Sequence, residues 1–198
     1  MKAKPNPRYD TFLTELRKLR RPFIKWRGIA FRAAPLEFAR LTKLLNGAGS
    51  LRFGGRWSAA GTFRAVNLSL TPEGAINESG AAFSYYNFAA QDVKPKVLVA
   101  VRLRLKKVVD LRRLRSRKWL SLDELLGEDW RKVNDSGYES ESQSLGRAIH
   151  DVGAEAVITP SARVEGVENL VFFPESIIRT GSVEILGKED LDRWLKKR

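Results

Sequence analysis

The sequence of 198 residues contains no cysteine and a single histidine, and each scarcity excludes a kind of chemistry. Without cysteine the chain can form no disulfide framework, no thiolate nucleophile and no cysteine-based zinc site. One histidine, His150, cannot build a site with several histidine ligands, and it gives little basis for histidine-based catalysis. We therefore expect no metal cofactor.

Long apolar segments are also missing. No run approaches the roughly 20 apolar residues that a helix needs to cross a bilayer. The N-terminal stretch MKAKPNPRYD is basic, but no apolar segment follows it, so no secretory signal is visible. From these absences we expect a cytoplasmic protein without membrane contact. Hydrophobic residues make up 43% of the chain, which is enough for the core of a single domain over residues 1–198.

Acidic residues are outnumbered, with 23 against 36 basic residues and a formal net charge of +13 at pH 7. This balance suits a nucleic acid, an acidic protein or an anionic small molecule such as a dinucleotide as partner. The basic run Arg112–Lys118 is the best argument for a nucleic-acid surface. Because no stacking aromatics or RNA-binding signature accompany the run, a solvated face is the simpler interpretation, and a nucleic-acid-binding protein without catalysis is the alternative.

The apolar pattern predicts a mixture of helices and strands. Terminal helices are predicted over residues 9–19 and 188–197. Other helices are predicted over 36–45, after Thr71–Pro72, after a capping box at Ser121 and Glu124, and over 142–152, with a surface loop over 128–139. Strands are predicted over 26–33, 65–70, 97–105, 156–159, 169–173 and 183–186. Because these elements do not alternate as regular βαβ units, an α+β fold is favoured.

The segment LRFGGRWS, residues 51–58, carries residue types that suit a ligand site. Gly54 and Gly55 allow a sharp turn or a close approach of the backbone to a ligand, because neither has a Cβ. Arg56 follows them, and its planar fork of donors suits a phosphate or a carboxylate. Trp57 adds a flat surface beside that fork.

Glu78 lies on the flank of the helix that follows, next to a stripe of small residues. Two interpretations are open. Glu78 pairs with a nearby arginine in a purely structural unit, or it faces Arg56 across a cleft that holds one ligand. Further along the same helix, Tyr85 and Tyr86 suit core packing or stacking on a flat ligand ring.

Arg32 and Ser161 are polar residues at strand positions that suit a cleft. Arg32 points away from Phe31 on its strand, towards either solvent or a cleft. Ser161 comes directly after the strand at 156–159, but no G-x-S-x-G elbow surrounds it. Since His150 is remote in sequence, a Ser–His–Asp nucleophile is not expected.

Taken in order, Arg32, the segment GGRWS (54–58), Glu78 and the segment PSAR (160–163) before the strand ENLVFF resemble the RES domain family. The resemblance covers roughly residues 26–173, so the helices at 9–19 and 188–197 would be additions to that core. It implies a fold similar to that of ADP-ribosyltransferase toxins, with a split, mostly antiparallel β core and flanking helices.

The resemblance also implies a function. RES proteins are typically toxins of bacterial toxin–antitoxin pairs, neutralised by an antitoxin with an Xre-like helix-turn-helix and a small C-terminal domain. They consume NAD⁺ by phosphorolysis or hydrolysis, and some instead ADP-ribosylate a protein such as phosphoribosyl pyrophosphate synthetase. The implied partners are NAD⁺ as substrate, an Xre-like antitoxin that blocks the active site, and a target protein where the acceptor is a protein. Nucleic acid would be reached through the antitoxin.

Residue roles follow from the same resemblance. Arg32 and Arg56 would hold the pyrophosphate and ribose side of NAD⁺, where two arginines can neutralise the diphosphate. Glu78 would act at the nicotinamide ribose, because loss of nicotinamide leaves an oxocarbenium-like sugar that a carboxylate stabilises. Ser161 would donate to the ligand near the scissile bond. Trp57, Tyr85 or Tyr86 would pack against a base, although core packing is the simpler interpretation of each.

Asn67 departs from the family pattern, because many members carry a tyrosine at about this place on the strand before the glutamate helix. Asparagine cannot stack, and it hydrogen-bonds differently. We keep Asn67 among the residues expected to contact NAD⁺. The final acceptor stays open among water, phosphate and a protein side chain. A catalytically weak protein held by a partner is a further hypothesis.

Overall fold

The computed structural model describes residues 3–85, 95–177 and 182–196. Within these ranges six strands form one sheet. They are β1 (Ile24–Pro35), β2 (Val66–Ser69), β3 (Lys96–Asp110), β4 (Ala156–Pro160), β5 (Glu168–Phe172) and β6 (Val183–Ile185). The strand predicted over residues 97–105 continues to Asp110, so that it forms the single long strand β3.

The sheet curls on itself and is split at one place. Its order is β1-β2-β5-β4-β3-β6, and β1 also pairs with β3 along nearly its whole length. In contrast, β1 meets β2 at a single position, Phe31 opposite Ser69. β3 and β4 run parallel, and the other pairings among these six strands are antiparallel. The prediction of a split, mostly antiparallel β core in an α+β fold is confirmed.

Helices surround this sheet. They are α1 (Tyr9–Lys18), α2 (Leu41–Leu44), α3 (Ala48–Phe53), α4 (Pro72–Tyr85), α5 (Leu122–Gly127), α6 (Trp130–Asp135), α7 (Glu141–Asp151) and α8 (Lys188–Lys196). α4 begins as predicted, because the Thr71 hydroxyl accepts a hydrogen bond from the Gly74 N–H at 3.0 Å. No helix in the described part of the chain is long and apolar enough to cross a membrane.

Two apolar clusters hold the sheet and the helices together. Alternate residues of β4 belong to different clusters, as strand geometry requires. Ile158 joins the cluster built from β1, β3 and β5, whereas Val157 joins the cluster built with α1, α5 and α7. Each fully buried Leu, Ile or Phe in these clusters contributes about 1.5–3 kcal/mol to stability.

α7 fixes the loop that follows α3. A Cβ on Gly146 would lie 2.0 Å from the carbonyl oxygen of Trp57, so only glycine permits this approach. The Gln143 side chain donates from Nε2 to the carbonyl oxygen of Gly55 at 2.9 Å. The loop that carries Arg56 is therefore held by a helix 80 or more positions away in sequence.

Several local predictions were wrong. The helix predicted over 36–45 is a 3₁₀ turn and the short α2. Ser121 makes no capping hydrogen bond, and the capping box is found instead at Ser140 with Gln143. The loop predicted over 128–139 contains α6, because the Asp129 carboxylate accepts from the first N–H groups of that helix.

Candidate functional site

A cavity of about 300 Å³ lies where the sheet is split between β1 and β2. The volume is at the lower end of the range for clefts that bind small molecules. Its wall includes parts of β1, β2, β5 and α4, together with the loop after α3 and the segment after β4. Five of the residues predicted for the site line this cavity: Arg32, Arg56, Trp57, Asn67 and Glu78.

Arg32 reaches the cavity from β1 and bridges the split. Its Nη1 donates to the carbonyl oxygen of Asn67 on β2 at 3.0 Å. Its Nε is buried and has no hydrogen-bond partner among the described residues. Burial lowers the pKa of Arg32 to about 10, so the guanidinium still carries its charge at neutral pH. A partly desolvated charge without a counter-ion among the described residues favours an anion in the adjoining space.

Arg56 both binds the end of α5 and lines the cavity. Its Nη1 donates to the carbonyl oxygens of Leu125 at 2.9 Å and Glu128 at 3.0 Å, at the end of α5, where a helix leaves carbonyls unpaired. Burial and the nearby Arg163 lower the pKa of Arg56. Nη1 of Arg56 thus satisfies two carbonyl groups at the C-terminal end of α5, and Arg56 is also part of the cavity wall.

The glycines and the tryptophan next to Arg56 have unequal roles. Gly54 has a φ of 76°, which favours glycine, whereas a Cβ on Gly55 would make only an ordinary contact, 3.8 Å from the Ser58 hydroxyl. Trp57 is only 4% exposed and belongs to the apolar cluster with α7. Its main role is therefore core packing, which the sequence analysis gave as the simpler interpretation.

Glu78 is held by two uncharged donors. The Ser161 hydroxyl donates to Oε1 of Glu78 at 2.5 Å, and Nδ2 of Asn169 donates to the same oxygen at 2.8 Å. Oε2 has no hydrogen-bond partner in the described part of the chain. No arginine of that part forms an ion pair with Glu78. The geometry therefore does not support the interpretation of a structural glutamate–arginine pair.

Ser161 stands behind this carboxylate. Its oxygen accepts from the backbone N–H groups of Arg163 at 3.1 Å and Val164 at 3.0 Å. These two bonds occupy the lone pairs, and the single O–H is left to point at Glu78. Ser161 therefore orients Glu78, which differs from the expected hydrogen bond to the ligand itself.

Asn67 and Tyr85 complete the predicted set. Asn67 lies on β2 and lines the cavity, and its side-chain Nδ2 is 3.9 Å from the position of a Cβ on Gly55. Tyr85 is the last residue of α4, but its side chain lies outside what the structure describes, as does the whole of Tyr86. The predicted contacts of both tyrosines stay predictions.

The cavity wall also contains residues that were not predicted, among them Asn169, Arg163, Arg131 and Trp130. Asn169 is the first residue of the strand predicted over 169–173, and its contact with Glu78 spans 91 positions of the sequence. Its Oδ1 is buried and has no hydrogen-bond partner among the described residues. Trp130 lies on α6, in a stretch predicted as a surface loop. An arginine within the PSAR segment was the only sequence signal for Arg163.

The cavity is strongly cationic. Among the described residues, its wall contains four arginines and one carboxylate, namely Arg32, Arg56, Arg131, Arg163 and Glu78. Arg163 adds to the lowering of the pKa of Arg56, which is the expected effect of a like charge. Such a wall can neutralise a diphosphate while one carboxylate stays available for a centre that becomes positive.

The basic run that first suggested a nucleic-acid surface is mostly neutralised within the fold. Arg112 pairs with Asp110 at 2.7 Å and also with Glu168, and Arg113 pairs with Asp110 at 3.4 Å. Arg115 pairs with Asp123 at 2.7 Å. A surface whose cations already have carboxylate partners binds phosphates weakly, so this run gives little support to the nucleic-acid alternative.

His150 is a packing residue. Its ring stacks on Phe63 with centroids 4.4 Å apart, and it meets the edge of Phe173 at 5.5 Å. It does not belong to the cavity wall formed by the described residues.

Comparisons with known proteins agree with this architecture. The family model described as RES domain matches residues 29–192, which reaches into α8 and so beyond the expected core of 26–173. The crystal structure of the M. tuberculosis MbcT–MbcA toxin–antitoxin complex matches with a TM-score of 0.69 and 23% sequence identity. The match covers 91% of this chain and 90% of that one, and it establishes a shared fold. No curated protein matches the chain.

Proposed function

The chain belongs to the RES domain family, and on this basis we propose that it is the toxin of a toxin–antitoxin pair that cleaves the nicotinamide–ribose bond of NAD⁺. ADP-ribose would pass to phosphate, to water or to a target protein. The fold shared with the M. tuberculosis toxin–antitoxin complex supports the toxin assignment.

One observation carries the NAD⁺ proposal. Arg32, a largely desolvated arginine, and Glu78, a carboxylate, line the same cavity. Among the described residues Arg32 has no counter-ion, and Glu78 is held only by uncharged donors. The two groups suit the two ends of the reacting half of NAD⁺. The arginine suits the diphosphate, and the carboxylate suits the ribose whose C1′ becomes positive as nicotinamide leaves.

Glu78 would stabilise the developing oxocarbenium ion or accept the ribose 2′-hydroxyl. Ser161 and Asn169 both bind Oε1, so Oε2 is the oxygen left for substrate. The buried Oδ1 of Asn169 is a second acceptor beside it, which suits the neighbouring ribose hydroxyl. The departing nicotinamide takes the bonding electron pair and becomes a neutral molecule, while the acceptor oxygen bonds to C1′ and gives up its proton.

Arg56 and Arg163 would complete the anion site. Both line the cavity, and Arg56 is fixed by its two bonds to the end of α5. An arginine held in this way loses little freedom when a phosphate binds, so more of the interaction energy appears as affinity.

The partner chemistry follows from the same cavity. An antitoxin would neutralise the toxin by placing a segment over the cavity mouth, and its DNA-binding part would supply any contact with nucleic acid. A membrane partner has no support in the described residues.

Mass-spectrometric product analysis tests the proposal. The purified protein is mixed with NAD⁺, with and without phosphate and with a cell lysate present, and Glu78→Gln serves as the control. Free ADP-ribose identifies hydrolysis, ADP-ribose-1″-phosphate identifies phosphorolysis, and a protein that gains the mass of ADP-ribose identifies a transferase. If nicotinamide appears under none of these conditions, the NAD⁺ proposal is wrong for this chain.

A further inference from the structure

We propose that the exposed face of the ribbon formed by β1 and β3 docks an acidic segment of a partner protein. This ribbon face consists of Lys25, Arg27 and Ile29 on β1 and Arg102, Arg104 and Lys106 on β3, all of them exposed. It lies on the side of the strands opposite to their buried residues, such as Ala30, Val101 and Leu103. The inference does not depend on the reaction proposed above.

Like charges face each other across the ribbon. Arg27 is directly opposite Arg104 in the antiparallel register. The register shifts between Ile24 and Trp26, and this places Lys25 beside Lys106 and the neighbouring Lys107. Directly opposed like charges destabilise a strand pair. The ribbon therefore keeps its cations at a cost in stability, which is typical of a surface that serves binding.

Few carboxylates compensate these cations. Arg102 pairs with Glu184 of β6 at 2.9 Å, and both side chains are nearly half exposed. The Glu155 carboxylate accepts from the backbone N–H groups of Lys106 and Lys107, at 2.5 and 3.2 Å. It therefore stabilises the backbone at the register shift and forms no ion pair with either lysine side chain. Lys25, Arg27, Arg104 and Lys106 form no ion pair within the described ranges. The Arg112–Lys118 run differs, because most of its arginines are paired.

The chemistry of the face favours a protein over a nucleic acid. Ile29 lies among the cations and is 45% exposed, so an apolar contact would accompany the charged ones. None of the exposed residues of the ribbon face is aromatic, so bases would find no stacking platform. Alternate residues of β3 carry the cations and are spaced by about 6.8 Å, which matches acidic side chains at every second position of an extended segment.

The ribbon face lies next to the cavity wall. On β1 the same side of the strand continues from Ile29 to Phe31 and Ala33, and both of these line the cavity. An extended acidic segment that follows β1 would therefore lead towards the cavity wall. Binding at the ribbon face and access to the cavity are next to each other in the fold.

Fluorescence anisotropy with a defined probe tests the proposal. The probe is a labelled peptide of about eleven residues in which glutamate alternates with threonine, so that one side of the extended chain is acidic. The test variant is Lys25→Glu with Arg27→Glu, whose new carboxylates would face lysines and Arg104 and therefore leave the strands well paired. The matched control is Arg117→Glu with Lys118→Glu, which changes the net charge equally at two exposed residues outside the ribbon face.

We expect the peptide to bind the wild type and the control variant with similar affinity, and the ribbon variant at least about tenfold more weakly, with an affinity that falls as salt is added. Nicotinamide release from NAD⁺ should be the same in all three proteins. A failure of the docking proposal can therefore be distinguished from a failure of the proposed reaction. Equal weakening in both variants would mean a net-charge effect and would overturn the proposal. So would an absence of peptide binding, or tighter ribbon-dependent binding of a single-stranded or duplex oligonucleotide of similar charge.

Discussion

Arg32 and Arg112 carry the same guanidinium group but differ in their partners. Arg112 donates from Nε and Nη2 to the buried carboxylate of Asp110, at 2.8 and 2.7 Å, and these hydrogen bonds raise the pKa of Arg112. Arg32 lies half-buried beside the cavity, where the described residues offer it a carbonyl acceptor and no carboxylate, and burial lowers its pKa. An arginine with an internal counter-ion completes the fold. A desolvated arginine without one suits an anionic ligand, which is the role that we propose for Arg32.

Carboxylates divide in the same way. Asp110 and Glu168 form ion pairs with Arg112, whereas the described partners of Glu78 are a hydroxyl and an amide. Uncharged donors position Glu78 without neutralising it. In the proposed function the charge of Glu78 would act on the substrate, beside four arginines of the described cavity wall.

Removal of the charge of Glu78 should have the largest effect. We expect Glu78→Gln to lower the rate of nicotinamide release by about a thousandfold or more, which is the scale for loss of a group that stabilises developing charge. The amide oxygen can still accept from Ser161 and Asn169, so the melting temperature should stay nearly unchanged. Calorimetry and product analysis on the same sample check both statements. A folded variant that keeps full activity would remove Glu78 from the reaction, and a large drop in melting temperature would make it structural.

Arg32→Met should separate binding from stability. The variant loses a charged hydrogen-bond donor to the substrate, and we expect the dissociation constant for NAD⁺ to rise by about thirtyfold, or about 2 kcal/mol. The free energy of unfolding should not fall, because the variant also removes an uncompensated buried charge. Isothermal calorimetry and urea unfolding measure the two quantities. Unchanged affinity would show that Arg32 does not contact the ligand.

Arg112→Met is the counterpart and should show the reverse pattern. The side chain of Asp110 is 2% exposed and would lose its main donors, so we expect the free energy of unfolding to fall by about 1–3 kcal/mol. The dissociation constant for NAD⁺ should stay within about twofold of the wild type. If this variant loses affinity and Arg32→Met loses stability, the division between structural and ligand-binding arginines is wrong.

Asn169→Ala should have a smaller effect on the reaction. Glu78 would lose one of two donors to Oε1 and keep Ser161, so we expect kcat to fall by about tenfold with a modest change in KM. Asn77→Ala is the matched control, because Asn77 is exposed on α4 next to Glu78 and should leave kcat unchanged. Steady-state kinetics of nicotinamide release compares the two variants. Equal kcat values would mean that Asn169 does not position the carboxylate.

The sequence predicted those parts of the site that depend on local pattern. Arg32 on a strand, Glu78 on a helix flank and Ser161 after a strand end were placed correctly, because periodicity and turn chemistry act over a few residues. The role of Asn169 was missed, because its meeting with Glu78 depends on how β5 and α4 pack, across 91 positions. The same limit explains Arg56, whose bonds to the end of α5 cross about 70 positions.

Local patterns can also be ambiguous within one segment. Ser121 and Ser140 are both followed three positions later by a residue suited to a capping box, and only Ser140 forms one. Gln143 at the second site also donates to Gly55, so a tertiary contact reinforces the local one. The basic run at Arg112–Lys118 stood out in the sequence for its density. The ion pairs of this run with Asp110, Glu168 and Asp123 depend on the fold. The fold also determines that Arg27 lies opposite Arg104 across the ribbon.

The smallest expected effect concerns the two basic surfaces. Arg104→Glu replaces a repulsion with Arg27 by an attraction across the strand pair, so we expect the free energy of unfolding to rise by about 0.2–1 kcal/mol. The same substitution at Arg115 removes its pair with Asp123 and places like charges together, so stability should fall slightly. Urea unfolding at low and high salt measures both variants, and added salt should shrink each change because the groups are exposed. If both substitutions lower stability equally, the cations of the ribbon face are compensated within the fold, and the distinction between a paired and an unpaired basic surface fails.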